Sequence, residues 1–425
     1  MTVLFVVCLA LALLALGFPM FLVLVIPALL IKMLLYPAMP DLVIVQKMVG
    51  GMNHSVLLAI PFFIFAAELM GRGSIARHLT TMMAALFRRT AGGMGYSTIG
   101  AAVGFGAVSG SAPATVAALG GLVYPRLQEE GFARRFSLGL ISASAEIALL
   151  IPPSLVLIIF GWLTGTSIAR LFAAGLVVGL VLAFAFALLV ALRAPDKSAR
   201  PAAAEAEGGF EMSVLWALGM PVIILGGIYS GHFTPTEAAA VSVIYAILVE
   251  ALVFRNLSAA RLLKVAENSA ISSAVIFILL AVGSALAFFI TVAQVPAAVI
   301  GFMEAINAGP ITFLIIVNLL FLVTGMFIDP GSALLILVPT MFPVAQSLGI
   351  DPVHFGIVVS LNICTGMITP PFGLDNFVAA STLKQPVAEI SMGVLPFVLV
   401  NIAVLLLITY VPGISTFFPD LLMGK

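Results

Sequence analysis

The sequence contains little charge. Of its 425 residues, 8% are charged and 62% are hydrophobic. An ordinary soluble domain is about 25% charged, so a water-soluble fold of this size is excluded. The mean hydropathy is +1.26, and the chain offers many stretches of the roughly 20 apolar residues that a helix needs to cross a bilayer. These features predict an all-α polytopic membrane protein.

Other scarcities exclude further classes. The two cysteines, Cys8 and Cys364, cannot form a disulfide framework and lack metal-ligand spacing. The net charge of +0 gives no sign of nucleic-acid binding. Nucleotide-binding and hydrolase motifs are missing, so no enzymatic activity is expected. No Lys or Arg precedes the first apolar run, residues 2–36, which we therefore interpret as a retained membrane segment.

The chain divides into two halves of similar plan. We expect a first unit at 1–200, a cytoplasmic linker at 201–211 and a second unit at 212–425. The predicted first-half segments are one kinked helix or two short helices in 2–36, a span at 50–71, an interfacial arm helix at 75–90, a helical hairpin at 95–128, a broken helix at 132–162 and a span at 166–192. The predicted second-half segments are spans at 212–230, 234–254 and 267–293, an amphipathic arm at 258–265, a hairpin at 309–347, a broken helix at 352–383 and a last span at 388–418.

Spacing and charge together indicate an inverted repeat. Gly104 precedes Ser111 by the same interval by which Gly325 precedes Ser332. Arginines flank the first hairpin, whereas no Lys or Arg lies between positions 264 and 384. By the positive-inside rule the two hairpins re-enter from opposite faces, as in inverted-topology transporters. Two tandem units of ordinary helices remain the alternative, because Pro and Gly also occur in plain membrane helices.

Each half contains a Pro-Pro pair inside an apolar span. Proline frees the carbonyl four residues earlier, which here predicts free carbonyls at Ala148, Leu149, Gly366 and Met367. Unpaired carbonyls in hydrocarbon are costly unless they line a cavity or bind something. Together with the hydroxyls of Ser144, Ser154 and Thr369, they suit sodium. A kink that serves packing alone is the alternative.

The hairpin tips are rich in hydroxyl groups. Ser109, Ser111 and Thr115 surround the start of a helix, whose free N–H groups suit a carboxylate. Ser332 lies beside Asp329 in the second tip, where Asp329 could also be a structural N-cap. The predicted substrate contacts are Ser109, Ser111, Thr115, Ser154 and Ser332.

Two acidic residues adjoin the broken stretches. Glu146 and Asp375 are candidates for a coupling role, because a carboxylate inside a membrane is costly without a function. A neutral, hydrogen-bonded acid or one that reaches the surface is an equally good interpretation.

Several motifs resemble the large permease subunit of TRAP (tripartite ATP-independent periplasmic) transporters over essentially the whole chain. They are Ile60–Met70, Gly106–Gly120, Ile151–Ser154, Thr234–Ala240, Phe327–Pro330, Gly349–Gly356 and Thr369–Gly373. The resemblance implies a bacterial inner-membrane importer of organic acids, driven by a sodium gradient through an elevator motion. It also implies a periplasmic binding protein and a small four-helix membrane subunit as partners, and no cofactor besides sodium.

The same resemblance implies two sodium sites. The first would use Gly104, Ser109, Ser111, Ala148, Ile151 and Ser154, and the second Gly325, Asp329, Ser332, Gly366, Thr369 and Phe372. The chain departs from the family pattern at Ser144-Ala145-Glu146 and at Asp375, where Asn is common.

A sodium-coupled importer subunit for a carboxylate is therefore the primary hypothesis. A free-standing sodium/carboxylate symporter of related architecture is the alternative within transport. An intramembrane enzyme using Glu146 or Asp375 and a passive channel are further alternatives. The sequence leaves the acid that is carried, the number of sodium ions and the oligomeric state open.

Overall fold

The chain is nearly all helical. A computed structural model describes residues 9, 12–13, 16–71, 75–195, 213–306 and 308–424, and these contain no β-strand. In chain order the α-helices are α1 (Met20–Leu35), α2 (Leu42–Met52), α3 (Ala59–Gly71), α4 (Ile75–Phe87), α5 (Gly93–Ser109), α6 (Ala112–Glu129), α7 (Arg134–Glu146), α8 (Leu155–Thr164), α9 (Ile168–Arg193), α10 (Ser213–Tyr229), α11 (Pro235–Leu248), α12 (Ala259–Val292), α13 (Val295–Ala305), α14 (Pro310–Phe327), α15 (Pro330–Ser347), α16 (Pro352–Ile368), α17 (Leu374–Leu383), α18 (Val387–Tyr410) and α19 (Gly413–Met423).

Several of these helices are long and apolar enough to cross a membrane. Six described segments qualify, and a seventh does if α2 and the bent segment that follows it, at 60° to α2, count as one span. The six are α9, α11 with its last turn, α12, α14, α15 and α18. A polytopic helical membrane fold is thus confirmed.

Proline and capping residues fix where the second-half helices begin. Pro235, Pro310, Pro330 and Pro352 each occupy the first helical position, where proline's missing N–H costs nothing and its fixed φ favours the helix. Asp351 caps α16 by accepting hydrogen bonds from two backbone N–H groups.

Both predicted hairpins are present. In the first, α5 and α6 meet at a turn in which Gly110 has a φ of 58°. In the second, α14 and α15 meet at Asp329, the N-cap of α15. Two helices are also broken as predicted: α7 leads through a 3₁₀ turn and Pro152-Pro153 into α8, and α16 leads through Pro370-Pro371 into α17.

The repeat has a constant period. Ala112 and Pro330, which begin α6 and α15, are 218 residues apart, and so are Arg134 and Pro352, which begin α7 and α16. The ends of α6 and α15 keep the same separation. The second helix of the hairpin is thus equal in length in the two halves, and the two broken helices begin at equivalent positions.

The halves pack through exchanged contacts. Helix α6 packs against α17, and the equivalent helices α15 and α8 pack against each other. Likewise α7 contacts α18, and α16 contacts α9. Because each of these contacts has a counterpart with the halves exchanged, the hairpins and broken helices are arranged around an approximate two-fold axis. Outside this arrangement, α12 packs along α1, α2 and α3 and also touches α15.

The structure corrects several predicted boundaries. The predicted arm at 258–265 and span at 267–293 form one 34-residue helix, α12, because no helix-breaking residue separates them. The span at 50–71 is instead α2, a bend and α3. Helix α13 was not predicted. A turn at Leu16 and Gly17 separates the helical residues Ala12 and Leu13 from α1, which favours two helices in 2–36. The predicted linker lies outside the described residues.

Candidate functional site

The first hairpin tip lies directly against the first helix break. A Cβ atom on Gly106 would come within 2.7 Å of the Ala148 Cα, and one on Gly110 within 2.1 Å of the Pro153 carbonyl oxygen. Glycine at both positions therefore lets two backbones touch, and at Gly110 it also permits the positive φ. A Cβ atom on Gly104 would instead face the side chain of Leu79 on α4, and the sodium-binding role of Gly104 stays a prediction.

The hydroxyl groups of this tip form hydrogen bonds within the tip, mainly with its backbone. The Ser111 side chain caps α6 by accepting from the Ala114 N–H at 3.4 Å. The Thr115 hydroxyl donates to the Ser111 carbonyl at 2.8 Å and lies 3.1 Å from the Ser109 hydroxyl. Ser109 and Thr115 are buried, so of the three predicted residues Ser111 is the most accessible.

The second tip repeats this geometry with different residues. Asp329 caps α15 by accepting from the Ser332 N–H at 3.1 Å, which makes Asp329, and not Ser332, the counterpart of Ser111. The Ser332 hydroxyl is fully buried and has no hydrogen-bond partner within the described ranges. Gly325 packs against Gly366, since a Cβ on Gly366 would lie 2.7 Å from the Gly325 Cα. The second hairpin thus also contacts its break through glycine.

Some carbonyls predicted to be free are occupied. The Ser154 hydroxyl donates to the Leu149 carbonyl, and the Thr369 N–H donates to the Gly366 carbonyl at 2.9 Å. Local turns thus use oxygens that the proline argument left unpaired, although a carbonyl oxygen has a second lone pair for a further partner. At the second break Asn376 donates its side-chain N–H to the Ile368 carbonyl at 2.6 Å.

A cavity of about 210 Å³ joins the two tips. Ser111 borders it from the first hairpin and Asp329 from the second. Leu149 and Met367 contribute from the two breaks, and Ile276 from α12. A second cavity of about 500 Å³ lies between the first hairpin and α3, with Ser109, Ser111 and Glu68 among its lining residues. The structure therefore brings together elements that are far apart in sequence.

Other predicted site residues are not among those that line the cavity between the tips. Ala148, Ile151 and Ser154 are buried in the first break, where the Ser154 side chain also caps α8. Thr369 is partly buried, and its hydroxyl donates to the Thr365 carbonyl at 2.6 Å. Phe372 is 53% exposed and packs on Phe327 of the second tip.

Glu146 and Asp375 are both fully buried and lie near each other. Asn401 of α18 donates its side-chain N–H to one Glu146 oxygen at 2.7 Å. Ser142 of α7 donates to the Asn376 oxygen at 3.0 Å, which links the first half to the second break. Asn376 and Asn401 were not predicted from the sequence. No local sequence motif identifies residues that come into contact only when distant helices pack together.

These features suit the binding of small ions and a small polar solute. Most residues that line the cavity between the tips are apolar, and its polar side chains are Ser111 and Asp329. Their hydroxyl and carboxylate oxygens are possible ligands for hard cations. Within the described ranges no cluster of three or more His, Cys, Asp or Glu residues could hold a metal ion, so a transition-metal centre does not emerge from them.

Comparison with known families gives one match over most of the chain. Residues 7–414 match the DctM component of tripartite ATP-independent periplasmic transporters. Among curated proteins, the chain is 41% identical to the ectoine/5-hydroxyectoine TRAP transporter large permease protein UehC of Ruegeria pomeroyi over 97% of each chain. It is 39% identical to the ectoine TRAP transporter large permease protein TeaC of Halomonas elongata, over 96% of this chain and 97% of that protein.

Two further comparisons widen this picture. The C4-dicarboxylate TRAP transporter large permease protein DctM of Pseudomonas aeruginosa is 35% identical over 88% of each chain. Among solved structures, the YdaH transporter of Alcanivorax borkumensis aligns with a TM-score of 0.61 over 87% of each chain at 14% identity. At that identity the likeness concerns the fold.

Proposed function

The chain belongs to the DctM family of tripartite ATP-independent periplasmic transporters, and we propose that it forms the path by which such a system imports a small zwitterionic organic acid. It is a TRAP large permease and not an enzyme. The observation that carries the proposal is the cavity in which Ser111 of one hairpin tip and Asp329 of the other face the same space. A solute held there would contact both halves at once.

The charge of the cavity favours a zwitterion of the ectoine type. Asp329 is the charged residue among its lining residues, and no Lys or Arg lines it. A cationic group of the substrate would pair with Asp329, while its carboxylate would face the N-terminus of α6 beside Ser111. The two relatives named for ectoine are 41% and 39% identical to the chain, which supports the same choice.

A C4-dicarboxylate is the second candidate, because relatives 35% to 37% identical carry that name. Two carboxylates would place a like charge near Asp329 with no lining Lys or Arg to balance it. Like charges at a binding site lower affinity, so we place this candidate second.

Sodium coupling is part of the proposal. Each break offers backbone carbonyls and a hydroxyl, Ser154 in the first and Thr369 in the second, next to a glycine of the hairpin. The family resemblance puts one sodium ion at each break, with the hairpin tips completing the coordination. Bound sodium would then hold each tip on its break and shape the cavity between them.

An elevator motion of the hairpins and broken helices against the remaining helices follows from the same resemblance. The cavity lies between that block and α12, which contributes Ile276, Leu279 and Leu280. Sliding of the block along α12 would carry a bound solute across the bilayer. A periplasmic binding protein, a small four-helix membrane subunit and the bacterial inner membrane complete the proposed assembly.

Reconstitution into liposomes tests the proposal. The chain is co-reconstituted with the small subunit, and uptake of labelled ectoine is followed with the binding protein outside and an inward sodium gradient. We expect ectoine uptake to need both sodium and the binding protein. Excess succinate should not inhibit this uptake. Uptake without the binding protein would favour the free-standing symporter. Flux that does not depend on the sodium gradient would favour a channel, and chemically altered ectoine would favour an enzyme.

A further inference from the structure

The buried acidic residues Glu146 and Asp375 have no role in the cavity between the tips. Glu146 ends α7 in the first half, and Asp375 lies in the first turn of α17 in the second half. Both are 0% exposed. The cavity between the hairpin tips is lined by neither of them. They therefore form a separate feature at the junction of the halves.

The polar atoms around these residues are mostly unpaired acceptors. The Asn401 side-chain amide donates one hydrogen bond, to the Glu146 Oε2 atom at 2.7 Å. By hydrogen-bond geometry, the other Glu146 oxygen, both Asp375 oxygens and the Asn401 Oδ1 atom are buried with no partner among the described residues, although the Ile368 backbone N–H lies near the Glu146 carboxylate. A buried acceptor without a donor costs free energy, and here four such oxygens belong to side chains on α7, α17 and α18, which pack against one another. What they lack is a positive partner.

No basic side chain in the described part of the chain supplies that partner. The ion pairs among the described residues join other acids to Lys or Arg, as in Arg135–Glu389 and Arg170–Asp420. In hydrocarbon an isolated carboxylate is strongly disfavoured. Unpaired oxygen acceptors with a net negative charge suit a hard monovalent cation. A dehydrated sodium ion is smaller than a water molecule.

The location differs from that of the two proposed sodium sites. With the 218-residue period of the helix starts, the position equivalent to Glu146 is Cys364, and the two residues lie near each other. Equivalent positions that face each other lie on the two-fold axis of the repeat. The sodium sites proposed at the breaks form a symmetric pair off that axis, so a site at Glu146 belongs to neither.

We propose that Glu146, Asp375 and Asn401 form a third site, which binds one sodium ion on the axis between the two halves. The Asp375 carboxylate, the Glu146 Oε1 atom and the Asn401 Oδ1 atom supply its ligands. The ion neutralises charge and joins α7, α17 and α18. This inference uses the proposed function for the identity of the cation alone.

Equilibrium binding of radioactive sodium to the purified full-length chain in detergent tests the site. Asp375→Asn and Glu146→Gln each keep the shape of the side chain and remove one charge. We expect sodium bound at saturation to fall by one ion per chain in each variant. Asp351→Asn is the matched control, because an exposed N-cap tolerates Asn, and it should bind as many ions as the unmodified chain.

The outcomes separate this proposal from the proposed function. If the unmodified chain binds no sodium, sodium coupling itself is wrong. If it binds sodium and both folded variants bind the same number, the third site is wrong and the two acids are neutral. Should the variants not fold, a cryo-EM map of the unmodified chain decides. Density between Glu146 and Asp375 in sodium that vanishes in choline supports the site, and its absence in sodium overturns it.

Discussion

At the scale of single residues, Thr369 has the role that is easiest to test. Its hydroxyl hydrogen is used on the Thr365 carbonyl, so its oxygen lone pairs remain for a cation at the second break. We expect Thr369→Val to raise the sodium concentration for half-maximal uptake about 5–30-fold, equivalent to losing one ligand worth roughly 1–2 kcal/mol. Sodium titration of uptake in the reconstituted system measures this.

Ser360→Ala is the control for that substitution. The Ser360 hydroxyl donates to the Gly356 carbonyl within α16, so its removal should leave the sodium dependence unchanged. Ser111→Val should act like Thr369→Val at the first break. Unaltered sodium dependence in both valine variants would remove these residues from the proposed sodium sites.

At the scale of helices, α7 and α18 approach each other through two glycines. A Cβ on Gly139 would lie 2.0 Å from the Gly393 carbonyl oxygen. We expect Gly139→Ala to lower the free energy of unfolding by about 1–3 kcal/mol, the usual cost of overpacking. Thermal unfolding in detergent checks it, with Gly301→Ala on α13 as the control.

The control position has open space around it. Nothing lies within 4 Å of a Cβ on Gly301, so alanine there should be neutral or stabilise the chain by about 0.5–1 kcal/mol, as expected for Gly→Ala inside a helix. Equal melting temperatures for Gly139→Ala and Gly301→Ala would show that the α7–α18 contact can relax at no cost.

Helix boundaries were predictable where Gly and Pro mark them. The hairpin expected at 309–347 spans Pro310 to Ser347, because a proline starts each of its helices. The predicted equivalence of residues between the two hairpin tips was less accurate. The sequence comparison paired Ser111 with Ser332 because both are serines, whereas the structure pairs Ser111 with Asp329 because both are helix N-caps. Both side chains accept a backbone N–H, and a sequence comparison by residue type does not detect that shared role.

At the scale of the whole molecule, the proposed elevator makes a prediction about cross-linking. Ile276 on α12 and Gly331 on α15 line the same cavity, yet α15 belongs to the moving block and α12 does not. Joining cysteines at these two positions with a short thiol reagent should abolish uptake. The measurement is ectoine uptake before and after the reagent, in a background without Cys8 and Cys364.

A pair within the block provides the comparison. The side chains of Arg134 and Gln385 are hydrogen-bonded to each other, and both belong to elements that would move together. Cross-linked cysteines at 134 and 385 should leave uptake intact. Uptake that survives the 276–331 link would contradict a sliding motion along α12.

Tertiary contacts set the limit of sequence reasoning at this scale. The breaks at residues 152–153 and 370–371 were predicted from their prolines, and the acids beside them from their cost in hydrocarbon. Asn401, which donates to Glu146 from 255 residues away, carries no such local signal. Its contribution depends on how α7 and α18 dock.

The near-equal halves have one more consequence. In an assembly of two identical chains, a residue on the symmetry axis must face its own copy, so a glutamate there would meet a second glutamate. Because both halves here are parts of one polypeptide, Glu146 lies near Cys364 instead. Covalent fusion thus permits a lone acid at a position where a homodimer would be obliged to carry two.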